Sequence, residues 1–131
     1  MYDFRTNEVG ETAPEEIAKL LRSIGASGRL LGFDYTVYIV HSIINRKSGR
    51  HQMTKSIYPG TASYFNVSAS SVERAVRTLI TGCWDRYDHS DLNRVAGIEL
   101  EGMPTNSEFI DILVAYLSYG AYDRTDNKMR T

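Results

Sequence analysis

Apolar side chains in this chain recur at helical spacing and nowhere sustain the every-second-residue alternation that a half-buried strand requires. Ile17, Leu20, Leu21 and Ile24 fall at i, i+3, i+4 and i+7, with Gly25 placed as a stop. Leu31 to Arg46 is a broader apolar stretch carrying Val37, Val40, Ile43 and Ile44, ended by Lys47-Ser48-Gly49. Its β-branched residues would permit a strand, but a length of about four turns argues for a helix. Val72, Val76, Leu79, Ile80, Cys83 and Trp84 form a third stripe, and Phe109, Ile110, Leu113, Val114 and Leu117 a fourth. Gln52–Tyr58 and Asp88–Ala96 read as short helices, with Pro59 interrupting the former and opening the next helix at its first position. A chain of 131 residues with 42% apolar and 24% charged side chains suits one globular domain. The expectation is an all-α fold of about six helices around one core, spanning residues 13–119. Residues 1–12 and 120–131 read as flexible polar tails.

Three stretches carry the Ser/Thr-x-x-Glu spacing of a capping box: Thr12–Glu15, Ser70–Glu73 and Thr105–Glu108. They predict helix starts near residues 13, 70 and 105, and Asp88 or Ser90 is expected to cap the short helix between the last two. Other chemistry finds little support. No apolar run can span a bilayer, and Met1–Gly10 has no apolar core of a secretory signal. The single cysteine, Cys83, excludes a disulfide framework and reads as a small core residue. His41, His51 and His89 share no ligand spacing, and Asp85, Asp88 and Asp91 lack the alternation and central glycine of a calcium loop. No nucleophile elbow is present. The chain therefore reads as a soluble, cytoplasmic protein that is not an enzyme, with no cofactor, no metal and no membrane partner.

The net charge of −1 hides a pattern. Residues 41–86 carry Arg46, Lys47, Arg50, Lys55, Arg74, Arg77 and Arg86 against only Glu73 and Asp85, while both flanking segments are net acidic. A basic middle between acidic ends is the footprint expected of a surface that binds a polyanion, or else a chance clustering of charge on a solvated face.

Chemistry concentrates in residues 59–77, PGTASYFNVSASSVERAVR. A helix-turn-helix needs a small residue where its helices touch, a residue tolerant of left-handed backbone in the turn, and an apolar residue locking the second helix. Ala62, Asn66 and Val72 match these needs, with Phe65, Val67 and Ala75 between and after them. The second helix, expected at about 70–86, then has two faces. Val72, Val76, Leu79, Ile80 and Cys83 make the buried one. Ser70, Ser71, Arg74, Arg77, Thr78 and Thr81 make the other, with the two arginines side by side at a spacing of three. Arginine on such a face can fork onto guanine O6 and N7, discriminating by roughly 1–3 kcal/mol per base pair. Ser70, Ser71, Thr78, Lys55, Arg50 and Tyr64 are placed to meet the DNA backbone, and Tyr58 also offers a hydroxyl. Glu73 has two readings. Its carboxylate turns back to the Ser70 amide as the third helical residue of a capping box, or it accepts from cytosine N4.

The stretches SIGASGRLLGFDYT, MTKSIYPGTASYFNVSASSVERAVRTLITGCW and PTNSEFI resemble the C-terminal effector domain of the stage-zero sporulation protein A family, from about Glu15 to Leu117. The resemblance implies a six-helix domain whose helix-turn-helix binds short promoter boxes, often as tandem head-to-tail copies. It implies that Glu73, Arg74 and Arg77 read bases, which strengthens the second reading of Glu73. Two departures stand out. Ser71 occupies a position where the family usually carries arginine. The segment at about 85–100, the family's contact with the RNA polymerase sigma factor, has Ala96 where an apolar aromatic is expected, which counts against that contact. Too few residues precede Glu15 to fold the family's phosphoacceptor receiver domain, so a chain of this length is expected to pair mainly on tandem DNA sites. Two functions remain open: a sequence-specific DNA-binding transcription regulator, or a helical interaction module that keeps the fold, has lost DNA binding and competes for partners.

Overall fold

A computed structural model describes residues 12–46, 53–85 and 89–120. Six α-helices follow one another: α1 Pro14–Ser23, α2 Leu31–Arg46, α3 Tyr58–Phe65, α4 Ala69–Trp84, α5 Ser90–Ala96 and α6 Asn106–Ala115. Single π-helical turns precede α3 (Met53–Ile57) and follow α6 (Tyr116–Gly120). No strand occurs among the described residues, so the all-α expectation holds. The boundaries expected for α2 match, and those for α4 shift by one or two residues, to 69–84.

The core is built by the anticipated stripes. Ile17, Leu21 and Ile24 from the α1 region, Val37, Ile39 and Val40 from α2, Val72, Val76, Leu79 and Ile80 from α4, and Phe109, Ile110 and Leu113 from α6 are all essentially inaccessible. Cys83 joins them, buried and in no disulfide. Burying such a side chain contributes about 1.5–3 kcal/mol, so α4 is held chiefly by its inner face. Helices α2 and α4 approach each other closely at Gly32. A Cβ added at Gly32 would run into the Ala75 carbonyl and meet Leu79 Cβ at 3.3 Å, so only glycine lets the start of α2 lie against the middle of α4. Tyr35 and Tyr38 of α2 pack on Phe65 and Tyr64, pinning α3. At the end of α4, Trp84 stacks on His89 with ring centroids 3.6 Å apart, joining it to α5.

Helix starts and stops correct several expectations. Gly25, at φ 94°, ends α1 as predicted, with Ala26 N–H donating to the Leu21 carbonyl at 3.0 Å. The Thr12 capping box does not form. Ala13 is extended (φ −81°, ψ 150°) because it precedes Pro14, so it serves as the N-cap without a side-chain bond and α1 begins on the proline. Pro59 does not interrupt the chain before α3. The π-helical turn runs directly into α3, which carries the proline in its first turn, where the missing N–H leaves no gap in the ladder. At α5 the N-cap is His89, left-handed at φ 56° and without a side-chain bond, and Ser90 is already helical. Asp88, also expected as a cap there, lies outside the described residues, as do tail residues 1–11 and 121–131.

Candidate nucleic-acid interface

The turn between α3 and α4 is built as a helix-turn-helix requires. Asn66 sits in the left-handed region at φ 60°, ψ 49°, and Val67 N–H closes back on the Ala62 carbonyl at 2.9 Å. Ala62, the small residue of the motif, is buried, and Val72 of α4 has no exposed surface. The next start differs from the expected box. Ser68, not Ser70, is the N-cap: its Oγ accepts from Ser71 N–H at 3.1 Å. The extended Ser68 follows Asn66 and Val67 directly, so α4 begins two residues earlier than a Ser70 cap would dictate. Glu73 thereby falls at the fifth helical position, beyond reach of the N-cap amide. Its capping role is withdrawn, and its side chain is exposed.

Ser70, Glu73, Arg74 and Arg77 border a single open groove of 630 Å³. The opposite wall comes from the first turn of α6, Thr105, Asn106 and Ser107, with Tyr58 of α3 at one side. Each wall is fixed by hydrogen bonds. Thr105 and Glu108 form the predicted capping box, Thr105 Oγ1 accepting from Glu108 N–H at 3.1 Å and Glu108 Oε1 accepting from Thr105 N–H at 2.9 Å. The Arg77 guanidinium donates to the Pro104 carbonyl at 3.1 Å. Asn106 Nδ2 donates to the Tyr58 hydroxyl at 2.9 Å and to the Glu73 main-chain carbonyl at 3.0 Å. Burial pushes the Tyr58 phenol above its ordinary pKa; the Asn106 bond opposes this and the nearby Glu73 charge reinforces it. The phenol therefore stays neutral across the physiological range.

Of the other sequence-predicted residues that are described, Tyr58 also lines this groove and the rest do not. Thr78 is exposed, but its hydroxyl donates to the Arg74 carbonyl at 3.1 Å, which occupies its only proton. Ser71 is half-buried, with its Oγ accepting from Ser68 Oγ at 2.8 Å. Thr81 is half-buried and back-bonds to the Arg77 carbonyl at 3.0 Å. Lys55 is exposed on the turn before α3. Tyr64 is 45% exposed and stacks on Tyr38 at 4.4 Å. Tyr58, offered as a phosphate donor, is instead 94% buried, with its oxygen engaged by Asn106. Arg50 lies outside the described residues. Sequence reasoning missed Asn106 and Ser107 as groove residues. Their only local signal was the capping box, which places a helix start but not what that start faces.

No helix among the described residues is long and apolar enough to cross a membrane. The family model described as "Sporulation initiation factor Spo0A C terminal" matches residues 17–117.

Proposed function

Because the chain belongs to the Spo0A C-terminal family of DNA-binding regulatory domains, in which double-stranded DNA is the partner and transcription in sporulation the process controlled, we propose that it reads a short promoter box in the major groove with the first turns of α4. Arg74 and Arg77 donate to guanine, and Glu73 accepts from cytosine N4. Ser70, Ser71, Lys55, Arg50 and Tyr64 meet phosphates and fix the register, whereas Thr78, its one proton held by the Arg74 carbonyl, does not. One observation carries the reading: Ser70, Glu73, Arg74 and Arg77 share one solvent-open groove on the helix that follows the Asn66 turn. The bond from Arg77 to Pro104 is compatible with it, since a guanidinium has five N–H donors and one bond orients the fork without consuming it. On tandem boxes two chains bound head to tail share a duplex, and a small contact between them suffices through effective concentration. The segment at about 85–100 takes no part in a sigma contact on this reading, because Ala96 stands where the family carries an apolar aromatic.

Electrophoretic shifts with a sporulation promoter-box duplex and a scrambled duplex, across salt concentrations, test this directly. Arg74→Ala and Arg77→Ala each lose site preference, by roughly 1–3 kcal/mol per base pair read. Lys55→Ala weakens both duplexes about equally and lowers the salt slope by about one. If Arg77→Ala keeps the wild-type ratio of box to scrambled affinity, its base-reading role is wrong.

A further inference from the structure

Asn106 is the first helical residue of α6, yet both bonds of its amide leave that helix. The Glu73 carbonyl accepts the Arg77 N–H in the regular ladder of α4, and its second lone pair takes Asn106 Nδ2. Two residues earlier in the chain, the Pro104 carbonyl holds the Arg77 side chain. A stretch of three residues, Pro104–Asn106, thus grips α4 at positions 73 and 77, one turn apart, and reaches α3 through Tyr58. Both points lie on residues that the proposed function assigns to base reading.

Stability alone does not account for this arrangement. The start of α6 is already satisfied by its own capping box. Asn106 Oδ1 is moreover buried with no partner, a cost that offsets part of what its two donated bonds contribute. What the amide does that the core cannot is fix the rotation of α4 about its own axis. Aliphatic packing on Val72, Val76 and Leu79 is non-directional and tolerates small rolls of the helix, whereas a hydrogen bond to one chosen carbonyl does not.

We infer that Asn106 is a positioning residue for base reading: through the Glu73 carbonyl it sets the rotation at which α4 presents Glu73, Arg74 and Arg77 to the major groove. The inference rests on the reading of α4 as the recognition helix. It is a role in specificity, exerted without touching DNA.

The experiment compares affinities for the promoter-box duplex and its scrambled counterpart in Asn106→Ala, Asn106→Asp and Tyr58→Phe, with melting followed in parallel. Asn106→Ala lowers the box-to-scrambled ratio about three- to tenfold, the worth of an ordinary hydrogen bond, while scrambled-duplex affinity and its salt slope stay at wild type. Asn106→Asp loses the same donor and shows the same loss of ratio. A carboxylate is favoured in the first turn of a helix, so this variant remains folded even where alanine does not. Tyr58→Phe keeps the tie to Glu73 and holds the ratio within about twofold. An unchanged ratio in both Asn106 variants overturns the inference, as does a fall of Asn106→Ala in affinity for both duplexes alike, which marks a purely structural role. Failure of the parent reading is distinguishable: the wild-type protein then shows no preference, or Arg74→Ala retains it, and the inference falls with that reading.

Discussion

The first turns of α4 and α6 border the same groove and carry the same Ser/Thr-x-x-Glu spacing, but they are finished differently. At α6 the motif closes on itself, with Thr105 and Glu108 satisfying each other's backbone amides at 3.1 and 2.9 Å. At α4 the cap is Ser68, two residues upstream of the motif, and Glu73 is left outside the capping network. One terminus is a closed post; the other leaves a carboxylate and two arginines exposed. The spacing is identical, so the difference must come from what precedes it. Before α4 the left-handed Asn66 turns the chain sharply enough that Ser68 is already extended and Ala69 already helical. Before α6 the chain comes through the buried Pro104, with Thr105 extended at ψ 168°, and the motif itself begins the helix. A capping box is therefore decided by where the preceding turn delivers the chain, not by the motif alone.

The strongest way to break this pairing is to move one post relative to the other. Gly32→Ala places a methyl against the Ala75 backbone carbonyl, which cannot yield as a side-chain tip can. Overpacking of this kind costs about 1–3 kcal/mol, and α4 is the element displaced. Denaturant melting should fall by that amount, and box preference should fall with it as α4 shifts away from Pro104–Asn106. Native melting with native preference would show that α2 does not set the position of α4.

The two caps sharpen the comparison at a smaller scale. Thr105→Ala and Ser68→Ala each remove a side-chain acceptor from a helix start, at a cost of about 0.5–2 kcal/mol. Thr105→Ala is expected to cost more, because it opens a reciprocal pair and leaves Glu108 with one bond where two amides were satisfied. Equal losses, read from melting midpoints at unchanged m-value, would mean that the box at α6 adds nothing beyond a single cap.

Much of this architecture was legible in the chain because it follows from periodicity and backbone chemistry. The stripes on α1, α2, α4 and α6, the Asn66 turn and the closed box at Thr105 are each written in adjacent or helically spaced residues. What was not legible depends on competition or on distance. Thr12 lost its capping role to the constraint that Pro14 places on Ala13, and Ser70 lost its role to Ser68, where two serines offered nearly the same local chemistry. Asn106 lies 33 residues from Glu73 and 48 from Tyr58, so no local pattern could reveal what its amide holds. The groove itself is a product of tertiary packing: only the docking of α6 beside α4 makes one surface from Ser70, Glu73, Arg74 and Arg77 on one side and Thr105–Ser107 on the other.

The smallest change separates the two termini most cleanly. Glu73→Gln alters one atom type and removes one charge on an exposed side chain at the fifth position of α4. Since Ser68 already caps the helix, melting should stay within about 0.5 kcal/mol of wild type, the range of ordinary surface substitutions. Box preference should nevertheless change. A carboxylate can only accept, which suits cytosine N4, whereas an amide also donates and so tolerates adenine through N6 and N7. The matched substitution Glu108→Gln is the control, because glutamine can also close a capping box and that side chain reads no base. Melting that drops for Glu73→Gln while the preferred sequence stays the same would return this carboxylate to a structural role, and would mean that α4 and α6 are finished alike after all.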